Sequence, residues 1–514
     1  MSFSLTPEPP GPSGPSAAFR RAYDAGARAE ALGLVERHWC TLIFDRSVHE
    51  LVFDLTGSAS AAELAPTPRA GLIAEAIGGL PHDPDRVRLP AGPDQVRATI
   101  RAGRGRPLVE AAILAMVSLR TAGRARDGVR LAERSRPLLE ATCGTRFSPT
   151  VELVAYWHLQ AAQAALHAGD LDRARLDVEH AWTARAEDVT GYAGPSAAPY
   201  GVLLAALLGD HQELGRWQLA WSGIATHTAT LIEADTMARP VLIADLLIAS
   251  DHLDDTVADG LVDRLQPTLA YDELWPLALW AISRHLVDVG AIDRACDLVA
   301  ATLDRHRDLG PTGSMHHTFA LLTRAEVELA AGRLDAVAPL VAQIAPSAIP
   351  GLDTLVSART HLAADDRSQA RRAAVLAERE ARHPRVRREA RHLIEAIDVE
   401  AGAGIVVARH LDPDLRRLTA QLPAALHTAL AAAGAAALPE PRGRHRAYAV
   451  GLLTTAERRV LVALAGPGTL PELASSLHVS TNTLKTQLRG LYRKLGAASR
   501  DEAIALARRH GLLD

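Results

Sequence analysis

Apolar positions along most of this chain follow helical periodicity, in stretches separated by short polar turns. The alternating Val, Ile, Thr and Tyr runs that mark strands are scarce. One small unit returns repeatedly. An apolar helical stretch meets a turn centred on Gly or Asp, and a second helix then opens with acidic or polar residues and a small side chain. The clearest copy is Ala168-Gly169-Asp170-Leu171-Asp172-Arg173-Ala174, and others stand at Gly290-Ala291-Ile292-Asp293-Arg294-Ala295 and Gly332-Arg333-Leu334-Asp335-Ala336. With weaker copies included, the markers Gly123, Gly169, Gly209, Ser250, Gly290, Gly332 and Ala364 are 46, 40, 41, 40, 42 and 32 residues apart. That period fits one helical hairpin per repeat. Gly ends the first helix in a left-handed conformation at no steric cost, and Asp caps the free N–H groups of the second. A lone hairpin cannot bury its own apolar stripe, so the copies are expected to stack.

Near the C-terminus the pattern changes to four short helices. Thr454-Thr455-Ala456-Glu457 opens the first, which stops at Gly466-Pro467, and Thr469-Leu470-Pro471-Glu472 opens the second. Ser480 is placed to cap a third helix, about Thr481 to Leu495, and Ser499-Arg500-Asp501-Glu502 opens the fourth. In the third helix Leu484, Leu488, Leu491 and Leu495 form one narrow apolar stripe. At 100° per residue, Asn482, Lys485, Thr486, Arg489 and Arg493 project away from it. A leucine-anchored helix that presents amide, hydroxyl and cationic groups outward suits a DNA major groove. Lys485 and Arg489 would reach base edges or phosphates, while Thr481, Thr483 and the helix N-terminus would hold a phosphate. Arg500, at the head of the last helix, joins the candidate DNA-contacting set.

Composition sharpens this division. The 514 residues exceed one compact core, 48% are hydrophobic and only 4% aromatic, and Ala, Leu and Arg, which favour helix, recur throughout. The net charge of −4 excludes a uniformly basic nucleic-acid coat, yet residues 446–514 alone carry a net +5. The only two lysines, Lys485 and Lys494, both fall in the third helix of the C-terminal module. Residues 436–449, rich in Pro and basic side chains, have the composition of a linker. The expected organisation is a disordered segment over 1–16, a helical repeat domain over 17–435 that senses a ligand or protein partner, the linker, and a DNA-binding module over 450–514.

The repeat stretch resembles tetratricopeptide-like repeats in the longer form of MalT-type and large LuxR-type regulators. Its opening, Tyr23-Asp24-Ala25-Gly26 through Trp39 and then Pro68-Arg69-Ala70-Gly71-Leu72, carries the resemblance towards the N-terminus. The C-terminal residues resemble the LuxR-type helix-turn-helix more specifically. The resemblance rests on Leu453-Thr454, Glu457, Val460-Leu461, Glu472-Leu473-Ala474, Leu477, Ser480, Thr483-Leu484-Lys485, Lys494-Leu495-Gly496 and Ser499-Arg500. It implies an all-α protein in which Lys485, Thr486 and Arg489 read double-stranded DNA and the helix from Arg500 to Arg509 supports a homodimer. Ala456 and Gln487 depart from that family's usual Arg and His.

Other chemistry is not called for. No phosphate-cradling G-x-x-x-x-G-K-[ST] loop occurs, and no lysine precedes position 485. Cys40, Cys143 and Cys296 lie far apart without metal-site spacing and are expected to be buried thiols. His316-His317 lacks the spacing of a metalloprotease site, so no catalytic set, cofactor or metal is expected. Trp217, Trp221, Trp275, Trp280 and Tyr271 could line a ligand groove but suit a hairpin core better. Neither a signal peptide nor a membrane span is indicated, which implies a cytoplasmic protein.

Overall fold

The computed structural model describes residues 14–78, 87–143, 149–188, 191–228, 234–252, 254–344, 349–400, 455–466, 468–477, 479–495, 497 and 499–509. The linker expected over 436–449, residues 401–435 of the expected repeat domain and all but the end of the N-terminal segment lie outside the described residues. The fold is all-α, and no strand occurs among the described residues. None of the described helices is long and apolar enough to cross a membrane.

The chain forms two compact units, residues 1–197 with 227–236, and residues 198–226 with 237–514. Within the first, the helix Gly105–Thr121 pairs with Ala125–Thr142, and Val154–Ala168 pairs with Leu171–Thr183. The two hairpins pack on each other through Val154–Ala168. That helix is buried on nearly every side, so its polar groups find partners inside the stack. Arg120 donates to Gln160 Oε1 at 2.6 Å, and Trp157 Nε1 donates to Ser135 Oγ at 3.1 Å. In the second unit Met315–Ala330 pairs with Leu334–Val341, and Leu352–Ala363 pairs with Arg367–Glu380.

The recurrent turn has one backbone geometry. Gly123, Gly169, Gly209, Gly290 and Gly332 all have positive φ, between 68° and 86°. In each case the next residue donates its N–H to the carbonyl five residues earlier, as Asp170 does to Ala165 and Asp210 to Ala205, both at 2.9 Å. Asp170, Asp210, Asp254 and Asp366 then accept an N–H three residues on, which caps the following helix. Two markers depart from the sequence expectation. The left-handed residue of the last copy is Asp365, with φ of 66°, rather than Ala364, and Ser250 is still inside the helix Ala234–Asp251. Gly26 and Gly103, at φ 69° and 72°, make the same turn upstream of the first marker.

Gly209 has a second constraint. A Cβ there would stand 2.2 Å from Pro384 Cδ and 3.1 Å from His383 Cα, because the helix Pro384–Glu400 starts against this turn. His383 Nε2 meets the Ala206 carbonyl at 3.1 Å in the same place. Residues almost two hundred positions apart therefore close on each other within the second unit.

Arg385 follows at the head of that helix and is a buried hub. Its Nε donates to Glu389 at 2.6 Å, Nη1 to Asp251 at 2.7 Å and Nη2 to Asp288 at 2.6 Å. Glu389 also accepts from Arg284 at 3.0 Å and Arg359 at 2.6 Å. Burial alone would raise the Glu389 carboxyl, but the three guanidinium groups carry it well below its ordinary value. Asp251, buried beside Arg385 and Arg284, is likewise brought down, to about 2.

Two histidines beside this hub have the opposite problem. Burial pushes both His383 and His392 down to about 4, against about 6.5 for a solvated imidazole. A base whose folded pKa is depressed binds fewer protons folded than unfolded between those values, so stability falls as pH drops through that window. The second unit is therefore expected to lose a few kcal/mol between pH 6.5 and 4, and to lose more below pH 4 as Asp251 is protonated. Thermal unfolding across pH 4–8 measures this. A midpoint unchanged between pH 7 and 4.5 would contradict it.

Candidate nucleic-acid interface

Four helices build the C-terminal module: Thr455–Ala465, Leu470–Ser476, Thr481–Leu495 and Arg500–Arg509. Their starts follow local capping chemistry. The Glu472 carboxylate accepts the Thr469 N–H at 2.7 Å and its hydroxyl at 3.0 Å. Those bonds hold Glu472 below its ordinary pKa. Ser480 Oγ accepts the Thr483 N–H at 3.0 Å, and Ser499 Oγ accepts the Glu502 N–H at 3.2 Å. Pro471 stands in the first turn of the second helix, where a missing N–H costs little. Thr454, proposed to open the first helix, lies outside the described residues.

The third helix packs against all three others. Leu484, Leu488 and Leu491 are buried with Val460, Leu461 and Leu464 of the first helix, Leu473 and Ala474 of the second, and Ala503 and Ala507 of the fourth. Three leucines at this spacing fix the rotation of the helix about its axis, and so fix which residues face outward. Thr481, Thr483, Lys485 and Arg489 are exposed. The side chains of Asn482, Thr486 and Arg493 and that of Leu495 lie outside the described residues.

Lys485 and Arg489 stand four residues apart, one turn above the other, and like charges at that spacing repel. Neither is ion-paired to a described residue. A protein that needed only to fold gains nothing from this pair. An anionic surface laid along the helix would neutralise both cations together.

Arg500 is placed differently. Its Nε donates to the Leu464 carbonyl at 3.0 Å, Nη1 to Gly468 at 2.7 Å and Nη2 to Gly466 at 2.5 Å. These are carbonyls at the end of the first helix and in the turn after it, which have no intrahelical partner. The guanidinium thus clamps the start of the fourth helix to the end of the first. The sequence alone, which showed a cation at the head of a helix in a basic module, could not reveal that.

The remaining candidates from the sequence are scattered. Trp217, Trp275 and Trp280 are buried in helix packing, and Tyr271 is exposed. Trp275 stacks on His306 with ring centroids 4.3 Å apart, and Trp280 meets Phe319 edge-on at 5.4 Å. His316 lies against Trp275. The three cysteines, expected to be buried, are unbridged and each partly exposed.

One cluster without a sequence signal is His158, Asp177 and His180 in the first unit, whose ligand atoms lie within 4.8 Å of one another. Its donor set could hold a metal ion in outline, but Asp177 is already engaged. It accepts from His158 at 2.8 Å, Arg136 at 3.0 Å and Arg173 at 2.9 Å. Burial would raise its carboxyl, yet these hydrogen bonds bring it down to about 2. Two guanidinium groups on the carboxylate make this an ion-pair hub of the hairpin stack, and a cation would have to displace them.

The geometry defines a small helical module whose third helix presents two exposed cations, Lys485 and Arg489, that are not ion-paired to any described residue. Over 72 residues the chain is 42% identical to "Probable transcriptional regulatory protein NarL" of Mycobacterium tuberculosis, in strains CDC 1551 / Oshkosh and ATCC 25618 / H37Rv alike. The match takes in 14% of this chain and 33% of the relative, so the chain spans about a third of the length of the curated relatives it matches. No protein-family model matches the chain, and no solved structure matches it.

Proposed function

We propose that the protein is a DNA-binding transcriptional regulator. In this reading residues 450–514 are a LuxR-type helix-turn-helix module, joined by a linker over 436–449 to a sensing or interaction domain over 17–435. The observation that carries it is the third helix, whose buried leucines hold Lys485 and Arg489 outward without partners among the described residues. The matched stretch of the NarL relative, 72 residues, is close to the length of this module and supports the same reading.

The helix would lie in the major groove of double-stranded DNA. Lys485, Thr486 and Arg489 would face base edges, with Asn482 and Arg493 beside them, and Thr481 and Thr483 would meet a phosphate at the helix N-terminus. Arg500 would contribute by holding the fourth helix in place, and that helix would carry a homodimer contact. The protein would work in the bacterial cytoplasm.

Fluorescence anisotropy of the full chain on a random-sequence duplex tests whether it engages DNA at all. Binding is expected at 50 mM salt, with log K falling against log salt at a slope of about −3 to −5, as for a protein covering roughly four phosphates. Such salt-dependent binding with no preference for any sequence would favour instead a protein-interaction scaffold with only weak, non-specific DNA binding, and no binding at that salt concentration would contradict both readings.

A further inference from the structure

The last described hairpin before the C-terminal module joins Arg367–Glu380 to Pro384–Glu400, and the two helices pack on each other. Residues 367–391 hold nine arginines against three glutamates, a net +6 within a chain of net −4. The buried side of the first helix is Ala370, Ala374 and Ala377. At 100° per residue Arg372 and Arg379 stand opposite those alanines, about 10 Å apart along the axis, and both are exposed.

The carboxylates of this stretch are already engaged. Glu378 accepts from Arg391 Nε at 2.8 Å, Glu380 Oε2 from the Thr354 hydroxyl at 3.0 Å, and Glu389 lies inside the Arg385 hub. Arg371 pairs with Asp398 across the hairpin, at 2.7 and 3.0 Å. No described carboxylate pairs with Arg372 or Arg379. Elsewhere in the array Arg97, Arg130, Arg216 and Arg307 each pair with an acid three residues earlier, namely Asp94, Asp127, Glu213 and Asp304. At Arg372 that position is Gln369, a neutral acceptor 3.3 Å from Nε, and at Arg379 it is Leu376. Arg387, also exposed, donates only to the Ala381 carbonyl at the end of the first helix, from Nε at 3.2 Å and Nη2 at 2.6 Å.

We propose that this hairpin is a second DNA-binding surface, one that grips the phosphate backbone beside the site read by the C-terminal module and takes no part in choosing the sequence. Cations without a protein counter-charge repel one another until a polyanion lies across them, and a duplex carries one charge per ~1.7 Å of its axis. Only residues 401–454 separate the hairpin from the module's first helix, so a duplex held by the module is offered to the hairpin at the effective concentration of a tethered contact. Contacts too weak to hold DNA alone would then still add to affinity. Two alternatives fit less well. A second copy would set like charge against like charge. An acidic protein helix could lie over Val375 and Leu376, each 42% exposed between the two arginines, but single apolar residues at that exposure are ordinary, and an excess of six charges over two helices suits a polyanion better.

This surface rests on the regulator reading, and salt titrations of the full-length chain on a random-sequence duplex, followed by fluorescence anisotropy, separate the two. Arg372→Gln with Arg379→Gln is expected to make the slope of log K against log salt shallower by about 1.5–2, and to lower affinity about tenfold near 100 mM salt. Both side chains are exposed and neither holds a carboxylate, so the variant should keep the parent's unfolding midpoint. The motif recovered from a random library should stay the same, because phosphate contacts carry no sequence information. Arg264→Gln with Arg305→Gln makes the same change of charge at exposed arginines on helices whose acids outnumber their arginines, and should alter affinity less than about twofold.

An unchanged slope and affinity would overturn the second surface and leave this face to an acidic protein. An equal loss from the Arg264, Arg305 control would also overturn it, by assigning the effect to net charge, and so would loss of the motif, by making these arginines readers of sequence. A parent chain that binds no DNA would remove the regulator reading itself, and this surface with it.

Discussion

Replacing Arg385 by leucine is expected to destabilise the second unit by about 3–5 kcal/mol, the range for breaking a buried ion pair from one side. The substitution keeps much of the side-chain volume and removes the charge. What remains is Asp251, Asp288 and Glu389 around an apolar group, with Asp288 and Glu389 almost wholly shielded from water. Arg284 and Arg359 still face Glu389, but neither forms an ion pair with Asp251 or Asp288. Such a loss corresponds to a fall of about 5–8 °C in the unfolding midpoint of a unit this size. Arg385→Lys should recover only part of it, because an ammonium cannot reproduce a fork that addresses three carboxylates. Thermal or urea unfolding of both variants decides the matter. A leucine variant within 1 kcal/mol of the parent would show that the hub contributes little.

The second large effect is expected in the C-terminal module and should leave stability alone. Lys485→Ala with Arg489→Ala is expected to lower affinity for a cognate duplex on the order of a hundred- to a thousandfold, taking about 1–3 kcal/mol for each cation that reads a base. Both side chains are exposed and neither is ion-paired to a described residue, so unfolding should shift by about 0.5 kcal/mol at most. Arg459→Ala removes an exposed cation from the first helix and is the control, expected to change affinity less than about fivefold. Equal losses from Arg459→Ala and from the double variant would assign the affinity to general charge and not to the third helix.

Where local chemistry decides the backbone, the sequence could be read closely. The third helix of the module begins where Ser480 caps it, and its rotation follows from leucines four and three residues apart. The hairpin turns were legible because only glycine takes the left-handed residue cheaply, and because Asp so often follows to cap the next helix. Ser250 misled for the same reason in reverse: a small polar residue before Asp looks like a turn, yet the helix Ala234–Asp251 runs on past it.

The tertiary polar contacts could not be read. Arg385 meets Asp251 across 134 residues of sequence, and His383 meets Ala206 across 177. An arginine on a helix gives no sign of which distant carboxylate will face it once hairpins stack. Arg500 shows the same limit within one module, since its cationic end turns inward to three carbonyls while Lys485 and Arg489 stay outside.

The central claim is that the exposed face of the helix Thr481–Leu495 reads DNA sequence. Selection of binding sites from a random duplex library by the full-length protein, beside the Lys485→Ala, Arg489→Ala variant, tests it most directly. Enrichment of one defined motif by the parent and its loss by the variant is the predicted result, and a palindromic motif would add a homodimer. Recovery of no motif, with both proteins retaining the same weak pool, would contradict sequence-specific recognition by this helix.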